Sequence, residues 1–258
     1  MQNNTFSRLY LRQNLIVLNE VSSTNDYLRQ HLSNIKPLPE ATAIMAIQQT
    51  QGKGQRGNTW HSSPEESLTI SFLLYPQNLS VQQAFNLNMM ISIGIQEWLT
   101  KWLPNTQIKW PNDLYVNHKK LGGILIENQL SGTQIRSSII GIGINIHQKF
   151  FPADIAQRAT SLDLEGNSHP QHFTLKDYAL SLLGDLLTSY SETDLNDTED
   201  LLNKYQKNLY QKDIIASYQI EEQIHSGILQ GVEPDGRLRV NIDGKNQLFD
   251  FKEIRFLK

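Results

Sequence analysis

Residues 49–60 read QTQGKGQRGNTW, in which Gly52, Gly54 and Gly57 are spaced G-x-G-x-x-G around two cations, Lys53 and Arg56. Bare backbone amides beside positive side chains suit an anion, above all a phosphate. Two familiar phosphate loops can be tested against these letters. The P-loop requires a lysine where Asn58 stands, although Gly52 to Thr59 supplies its two glycines and its hydroxyl. The dinucleotide fingerprint requires a helix directly after the glycines, whose free N–H groups hold the pyrophosphate. Here Trp60 is followed by HSSPEE and then SLTISFLLY, where Leu68, Ile70, Phe72 and Leu74 recur at the period of a strand with one buried face. The glycine loop is therefore predicted to join two strands, ATAIMAIQQ before it and 67–75 after it. A flexible surface loop is the plain alternative.

A second concentration of charge lies in KWPNDLYVNHKKLGGILIEN. Lys109, Asn112, Asp113 and Lys120 set two cations, an amide and a carboxylate around one predicted hairpin. Its corners are Pro111-Asn112-Asp113 and residues 117–120. The glycine pair after Lys120 leaves the backbone bare, so that this lysine can approach a ligand closely. Further upstream, the predicted strand LIVLNEV (15–21) runs straight into SSTNDYLRQHL. Ser23 with Asp26 three residues on forms a capping box, which places Ser23, Thr24 and Asn25 at a helix mouth where N–H groups lack partners. Taken singly, a solvated hairpin and a well-capped helix account for these two segments.

The elements that must position these groups follow from periodicity. Residues 81–102 carry apolar side chains at helical spacing, including Leu87, Met90, Ile91, Ile95, Trp98, Leu99 and Trp102, and read as core. QIRSSIIGIGINI reads as a further strand, which makes the central sheet mixed and largely antiparallel. Helices are predicted at 174–190 and 194–207, preceded by the loop 157–172. From about residue 213 the texture changes to short alternating runs with hairpin signals at Asp235-Gly236 and Asp243-Gly244. The expected class is α+β, with a main domain over 1–212 and a small all-β domain over 213–258. The second is too small to be very stable alone and is expected to pack on the first.

With 258 residues, 39% hydrophobic and 19% charged, the chain has the composition of an ordinary globular protein. No apolar run approaches the roughly 20 residues that span a bilayer, and MQNNTFSRLY is not a signal peptide, so no membrane association and a cytoplasmic location are expected. The absence of cysteine excludes disulfides, thiolate catalysis and cysteine-based zinc sites. A net charge of −3 gives no support for non-specific nucleic-acid binding. The seven histidines are scattered, none at metal-ligand spacing, and most are expected at the surface. Exposed edges of the sheet make a homodimer feasible.

Taken in order, SSTN, QTQGKGQRGNTWHS, KWPNDLYVNHKKLGGILIE and GIGIN resemble the motifs of the biotin protein ligases, or biotin–[acetyl-CoA-carboxylase] ligases. The resemblance is strong over residues 15–150, and the C-terminal β segment is similar in placement and texture to that family's SH3-like barrel. It implies a class II synthetase-like catalytic domain that uses ATP and biotin as substrates, with Mg²⁺ carried on the ATP phosphates and no dedicated metal ligands. The product would be biotinyl-5′-AMP, from which biotin passes to a lysine of a biotin carboxyl carrier protein. Ser23, Thr24, Asn25 and Gln49 would contact biotin, and Lys53, Gly54, Gln55 and Arg56 would wrap the adenylate. Trp60 would pack near the adenine, and Lys109, Asn112 and Asn145 would serve the nucleotide. Lys120 would touch both the biotin carboxylate and the phosphate. Lys120, Asp113 and Arg56 are the expected catalytic groups.

This chain departs from the family pattern at Gln55 and Asn58, where many members have arginine. Adenylate retention is thus expected to rest more on Lys53 and Arg56. The stretch before Ser23 is too short for the winged-helix domain of the members that repress transcription, so a monofunctional ligase is expected. The competing readings are a lipoate or other acyl ligase of the same fold, whose R-R-x-S-G-G-G signature is missing from the chain, and a non-catalytic protein-binding module.

Overall fold

The computed structural model describes residues 8–34, 37–166, 169–170 and 172–257. The opening residues 1–7 and part of the loop 157–172 lie outside the described residues. A short helix α1 (Arg8–Asn14) leads into β1 (Leu15–Val21), α2 (Thr24–Asn34) and β2 (Ala43–Gln49). The glycine loop follows, then β3 (Ser67–Leu74), the long helix α3 (Ala84–Thr100), and the strands β4 (Gln107–Lys109), β5 (Asp113–Val116), β6 (Lys119–Ser131) and β7 (Gln134–Asn145). These strands form one sheet in the order β1-β2-β3-β7-β6-β5-β4. Only β1 and β2 run parallel; every other neighbouring pair is antiparallel. Three helices come next, α4 (Leu162–Glu165), α5 (Leu175–Glu192) and α6 (Thr198–Lys207), the last starting later than its apolar pattern suggests because Asp197 caps it by accepting from the Asp200 N–H. Among the described residues no helix is long and apolar enough to cross a membrane.

The alternation along β3 and β7 decides what each face of the sheet does. Leu68, Ile70, Phe72 and Leu74 on β3, with Ile140, Ile142 and Ile144 on β7, join Leu87, Ile91, Ile95 and Trp98 of α3 and Leu183 and Leu187 of α5 in the main core. The opposite face was expected to be open, yet all eight residues of β3 are buried. Helix α2 lies over that face, where Leu28 packs with Ile44, Leu73 and Ile139. Beside this small cluster the same face turns polar and small, with Thr69 and Ser71 on β3 and Gly141, Gly143 and Asn145 on β7. Strand period thus places the isoleucines of IIGIGIN in the core and its glycines on the face that α2 only partly covers.

The C-terminal strands β8 (Ile215–Ile220), β9 (Gln223–Val232), β10 (Leu238–Ile242), β11 (Lys245–Phe249) and β12 (Ile254–Phe256) form a second, antiparallel sheet in the order β11-β10-β9-β8-β12. It is fastened to the corner between β4 and β5. The Trp110 indole N–H donates to the Gly236 carbonyl at 2.8 Å, and its ring meets Phe251 edge-on at 6.0 Å. On the other side the Val232 N–H donates to the Gln206 side chain at 3.1 Å. Trp110→Phe keeps most of the packing but strips the half-buried Gly236 carbonyl of its donor. The expected loss of stability is about 1–3 kcal/mol in equilibrium denaturation.

Candidate functional site

The polar face of the sheet opens into a cleft bounded by the mouth of α2, the glycine loop and the β5–β6 hairpin. Ser23, Thr24 and Asn25 at the helix mouth are all buried. Ser23 Oγ accepts from the Asp26 N–H at 3.4 Å, one half of the predicted capping box. The other half is not made, because the Asp26 carboxylate is drawn outward to Lys53 Nζ at 2.6 Å and Arg29 Nη2 at 2.9 Å. Gln49, at the end of β2, accepts from the Thr24 N–H at 2.8 Å and from its hydroxyl at 3.0 Å. Asn25 accepts from the Ser71 hydroxyl and donates to Glu127 Oε2 at 2.7 Å. Thr24 and Asn25 are held by side chains of β2, β3 and β6, so their geometry is set by the sheet, whereas Ser23 bonds within the first turn of α2.

The glycine loop folds back on itself as a narrow hairpin. Trp60 N–H donates to the Gly52 carbonyl at 2.9 Å and Gly54 N–H to the Asn58 carbonyl at 2.7 Å, and a 3-10 turn at Gln55–Gly57 forms the tip. Lys53 reaches α2 through Asp26, and Gly54 and Gln55 line the cleft. The Arg56 side chain lies outside the described residues. The Trp60 ring rests on β7 where Gly143 leaves room; a Cβ there would stand 2.5 Å from the indole. The indole N–H of Trp60 is buried and has no acceptor among the described residues, so it is free to donate to a ligand. Gly141 makes the same kind of room for Asn25, whose side-chain oxygen a Cβ would strike. Gly141→Ala is expected to displace Asn25 and to cost about 1–3 kcal/mol of stability through overpacking, measured by thermal or urea denaturation.

On the hairpin, Lys120 Nζ and Asp113 Oδ1 form an ion pair at 2.6 Å, with both side chains partly exposed to the cleft. Gly123 lies beside them, where a Cβ would crowd the pair at 3.1–3.3 Å. The Lys120 backbone is clamped, its N–H donating to the Arg158 carbonyl at 2.7 Å and its carbonyl accepting from the Thr160 N–H at 2.9 Å. Asn112 is buried and donates to the Ile124 carbonyl. Asn145 donates to the Thr160 carbonyl at 2.9 Å and lines a second cavity of about 590 Å³ together with Phe151, Arg158 and Ala159. The two spaces share Asn58, Thr59, Trp60 and Lys120. The cleft therefore has two lobes with Lys120 and Trp60 at the waist.

Lys109 stands apart from this group. Its ammonium donates to the Tyr115 hydroxyl at 3.1 Å and lies 4.7 Å from the Tyr115 ring and 5.2 Å from that of Phe256, lining a third cavity. Burial lowers its pKa; Asp113 opposes that shift, and the cations Lys120, Arg255 and Arg158 add to it. Of the seven histidines only His169 is buried, and the others are exposed or half-buried, as the sequence reading expected of most of them. His169 is buried with Nε2 at 2.9 Å from Asp163 Oδ1, and His147 Nδ1 meets the same oxygen at 3.2 Å. A carboxylate at the start of α4 gives both rings a polar partner indoors. Among the described residues no group of three or more histidine or carboxylate side chains could hold a metal ion.

Several residues that support or line the cleft were not assigned to it from the sequence. Ser71 carries a usable signal, since it breaks an apolar strand at the positions opposite Phe72 and Ile70. Asp26 and Glu127 bracket Arg29, with Glu127 at 2.7 Å from its guanidinium, but charge on a helix and within a strand gives no hint of a shared cleft. Phe251 lines the first lobe from the C-terminal sheet, a contact that no local pattern announces.

A mixed sheet with its helical core on one face and a two-lobed polar cleft on the other is the α+β fold of known biotin protein ligase structures. The biotin protein ligase from Aquifex aeolicus solved in complex with biotin and ATP superposes with a TM-score of 0.74, at 25% identity, over 95% of this chain and 99% of that one. The sequence model of the biotin/lipoate A/B protein ligase family matches residues 17–145, half of the chain, and the chain belongs to that family. The bifunctional ligase/repressor BirA of Bacillus spizizenii is 35% identical over 153 residues, 58% of this chain and 46% of that protein. Its namesake in Escherichia coli K12 is 28% identical over 234 residues, 88% of this chain and 69% of that protein. The chain spans about half the length of the first of these relatives.

Proposed function

We propose that the chain is an ATP-dependent biotin–protein ligase, which activates biotin as biotinyl-5′-AMP and transfers it to a lysine of a biotin carboxyl carrier domain. The observation that carries this reading is the two-lobed cleft with the Lys120 ammonium at its waist. An acyl-adenylate has the same plan: an acyl group, a nucleotide, and a carbonyl–phosphate junction between them. The relatives named as ligases and the related structure bound to biotin and ATP support the same assignment. In this reading Ser23, Thr24, Asn25 and Gln49 hold biotin, and Lys53, Gly54, Gln55 and Arg56 close over the adenylate. Trp60 and Asn145 serve the nucleotide lobe, while Asn112, expected at the nucleotide from the sequence, lines the first lobe beside Asp113. Residues 1–212 carry both lobes, and 213–258 form a cap that adds Phe251.

A carboxylate is a poor acyl donor until its oxygen is made part of a good leaving group. In the first step a biotin carboxylate oxygen bonds to the α-phosphorus of ATP, and the bond to the β-phosphate oxygen breaks, releasing pyrophosphate. Two anions must meet, and the Lys120 ammonium offsets their repulsion where charge develops. Mg²⁺ is proposed to arrive on the ATP phosphates. The donor set does not fit a resident ion, because Asp26 is engaged by Lys53 and Arg29, and Asp113 by Lys120. The mixed anhydride would be lost to water in an open site, and the glycine-loop hairpin with Trp60 covers it. In the second step the carrier lysine, with an ordinary pKa of about 10.4, must lose a proton to attack the acyl carbon. In this reading Asp113 orients that amine and takes its proton as AMP leaves.

The test is exchange of labelled pyrophosphate into ATP with either biotin or lipoate present. Exchange that depends on biotin is expected. Exchange with lipoate alone would move the assignment to the lipoate branch of the family, and exchange with neither would favour a binding module without catalysis.

A further inference from the structure

Asp26, Arg29 and Glu127, none of which the chemistry above uses, form one network beside the glycine loop. Asn25, Asp26 and Arg29 share a side of α2 at spacings of three and four residues, which puts Arg29 next to both of the others. The Arg29 guanidinium meets both Glu127 oxygens at 2.7 Å and Asp26 Oδ1 at 2.9 Å. Asp26 Oδ2 in turn holds Lys53 Nζ at 2.6 Å, and Glu127 Oε2 accepts from the Asn25 amide at 2.7 Å. Asp26 gives up its half of the capping box to take part. Along the path Lys53, Asp26, Arg29, Glu127 the signs alternate, so every neighbouring pair attracts. Lys53 and Arg29 are 47% and 40% exposed, and an isolated ion pair at such exposure contributes little. Shared partners, and a carboxylate that engages Arg29 through both oxygens, are what make a network of this kind hold. At one end Lys53 is a rung of the loop hairpin, opposite Thr59, so fixing its side chain fixes the hairpin that roofs the first lobe. At the other end a carboxylate accepts and does not donate, so Glu127 turns the Asn25 nitrogen toward β6 and its oxygen toward Ser71.

We propose that Arg29 and Glu127 are positioning residues: through Asp26 and Lys53 they latch the glycine loop over the acyl lobe, and through Asn25 they keep the helix mouth in register with it. The nature of the ligand so retained, an acyl-adenylate, rests on the ligase reading; the latch itself rests on the ion pairs alone. Neither residue lines the cleft, so both act through others. Loss of Arg29 leaves Asp26 and Lys53 as a lone exposed pair, which water and salt screen, and the roof then opens more often. Each opening lets the intermediate escape or meet water before an amine arrives.

Amide exchange read by NMR on the full chain, without ligand, tests the latch for the wild type, Arg29→Met, Arg29→Lys and Glu127→Gln. The Gly54 and Trp60 amides, which bond across the loop hairpin, are expected to exchange roughly three- to fivefold faster in Arg29→Met and Glu127→Gln, with part of the protection restored in Arg29→Lys. Amides of β3 should exchange at the wild-type rate in the three variants, which shows that the fold is intact. Added salt should speed loop exchange in the wild type and leave Arg29→Met unchanged, a difference that a merely structural side chain would not produce. Should β3 exchange rise in Arg29→Met, Glu127→Gln decides, because it removes a charge and keeps an acceptor for Asn25. Release of isolated biotinyl-5′-AMP is measured on the same proteins and is expected to be faster in Arg29→Met by the same factor. Loop exchange at the wild-type rate in Glu127→Gln and Arg29→Met would overturn the latch, as would adenylate released equally fast by Arg29→Met and the wild type. Faster loop exchange in the variants, with no adenylate bound by any of the proteins, would sink the ligase reading and leave the latch standing.

Discussion

Replacing Lys120 by alanine is expected to slow formation of the adenylate roughly 10²–10³-fold, the usual loss when one preorganised donor to developing charge is removed. The expectation rests on where this ammonium is held. Its backbone is clamped on both sides by the segment 158–160, its side chain is bracketed by the bare backbone at Gly123, and among the described cations it alone lines both lobes of the cleft. A cation fixed in advance needs little reorganisation when the carboxylate and the α-phosphate meet beside it. The loss should appear in single-turnover formation of biotinyl-5′-AMP from ATP and biotin. Transfer from preformed adenylate should fall less, since by then the phosphoryl bond is made. The side chain is partly exposed, so folding should survive the change. A loss of only a few-fold in adenylate formation would remove Lys120 from the chemistry.

Asp113→Ala should show the opposite division, with transfer to the carrier slowed by about 10²–10⁴-fold and adenylation affected far less. In the structure Asp113 Oδ1 is engaged by Lys120 Nζ at 2.6 Å. In the proposed reaction a phosphate entering the waist would give Lys120 a second anionic partner and leave Asp113 available to the incoming amine. The carboxylate would then act on the nucleophile and the ammonium on the electrophile. Isolated biotinyl-5′-AMP mixed with carrier domain measures the transfer step alone. Equal losses in the two half-reactions would contradict this division of labour, and normal transfer by Asp113→Ala would exclude it as proton acceptor.

Much of this site could be read from the chain because strand period does two jobs at once. In IIGIGIN the isoleucines mark the core face, and the intervening Gly141, Gly143 and Asn145 mark the cleft face. The glycine loop, the helix mouth at Ser23 to Asn25 and the Asp113–Lys120 hairpin were each visible as local patterns, and the structure brings them around one space. What could not be read was lateral distance. Lys109 sits four residues before Asp113 in the same motif, yet it lines the third cavity beyond Tyr115, because an edge strand carries it away from the waist. The second face of β3 was also misjudged, since a hydroxyl on a strand looks solvent-facing until α2 is known to cover it. Contacts from the far end of the chain were silent for a related reason. Trp110 meets the Gly236 carbonyl across 126 residues of sequence, and nothing near either residue specifies the other.

The central claim is that one continuous cleft holds an acyl group and a nucleotide joined at Lys120. Its most direct test is a crystal structure of the chain grown with biotin and ATP. The account predicts the biotin ring beside Asn25 and Gln49, the nucleotide between Trp60 and Asn145, and the acyl phosphate within hydrogen-bond reach of Lys120 Nζ. Ligands bound outside both lobes, or joined at a point that Lys120 does not touch, would contradict it.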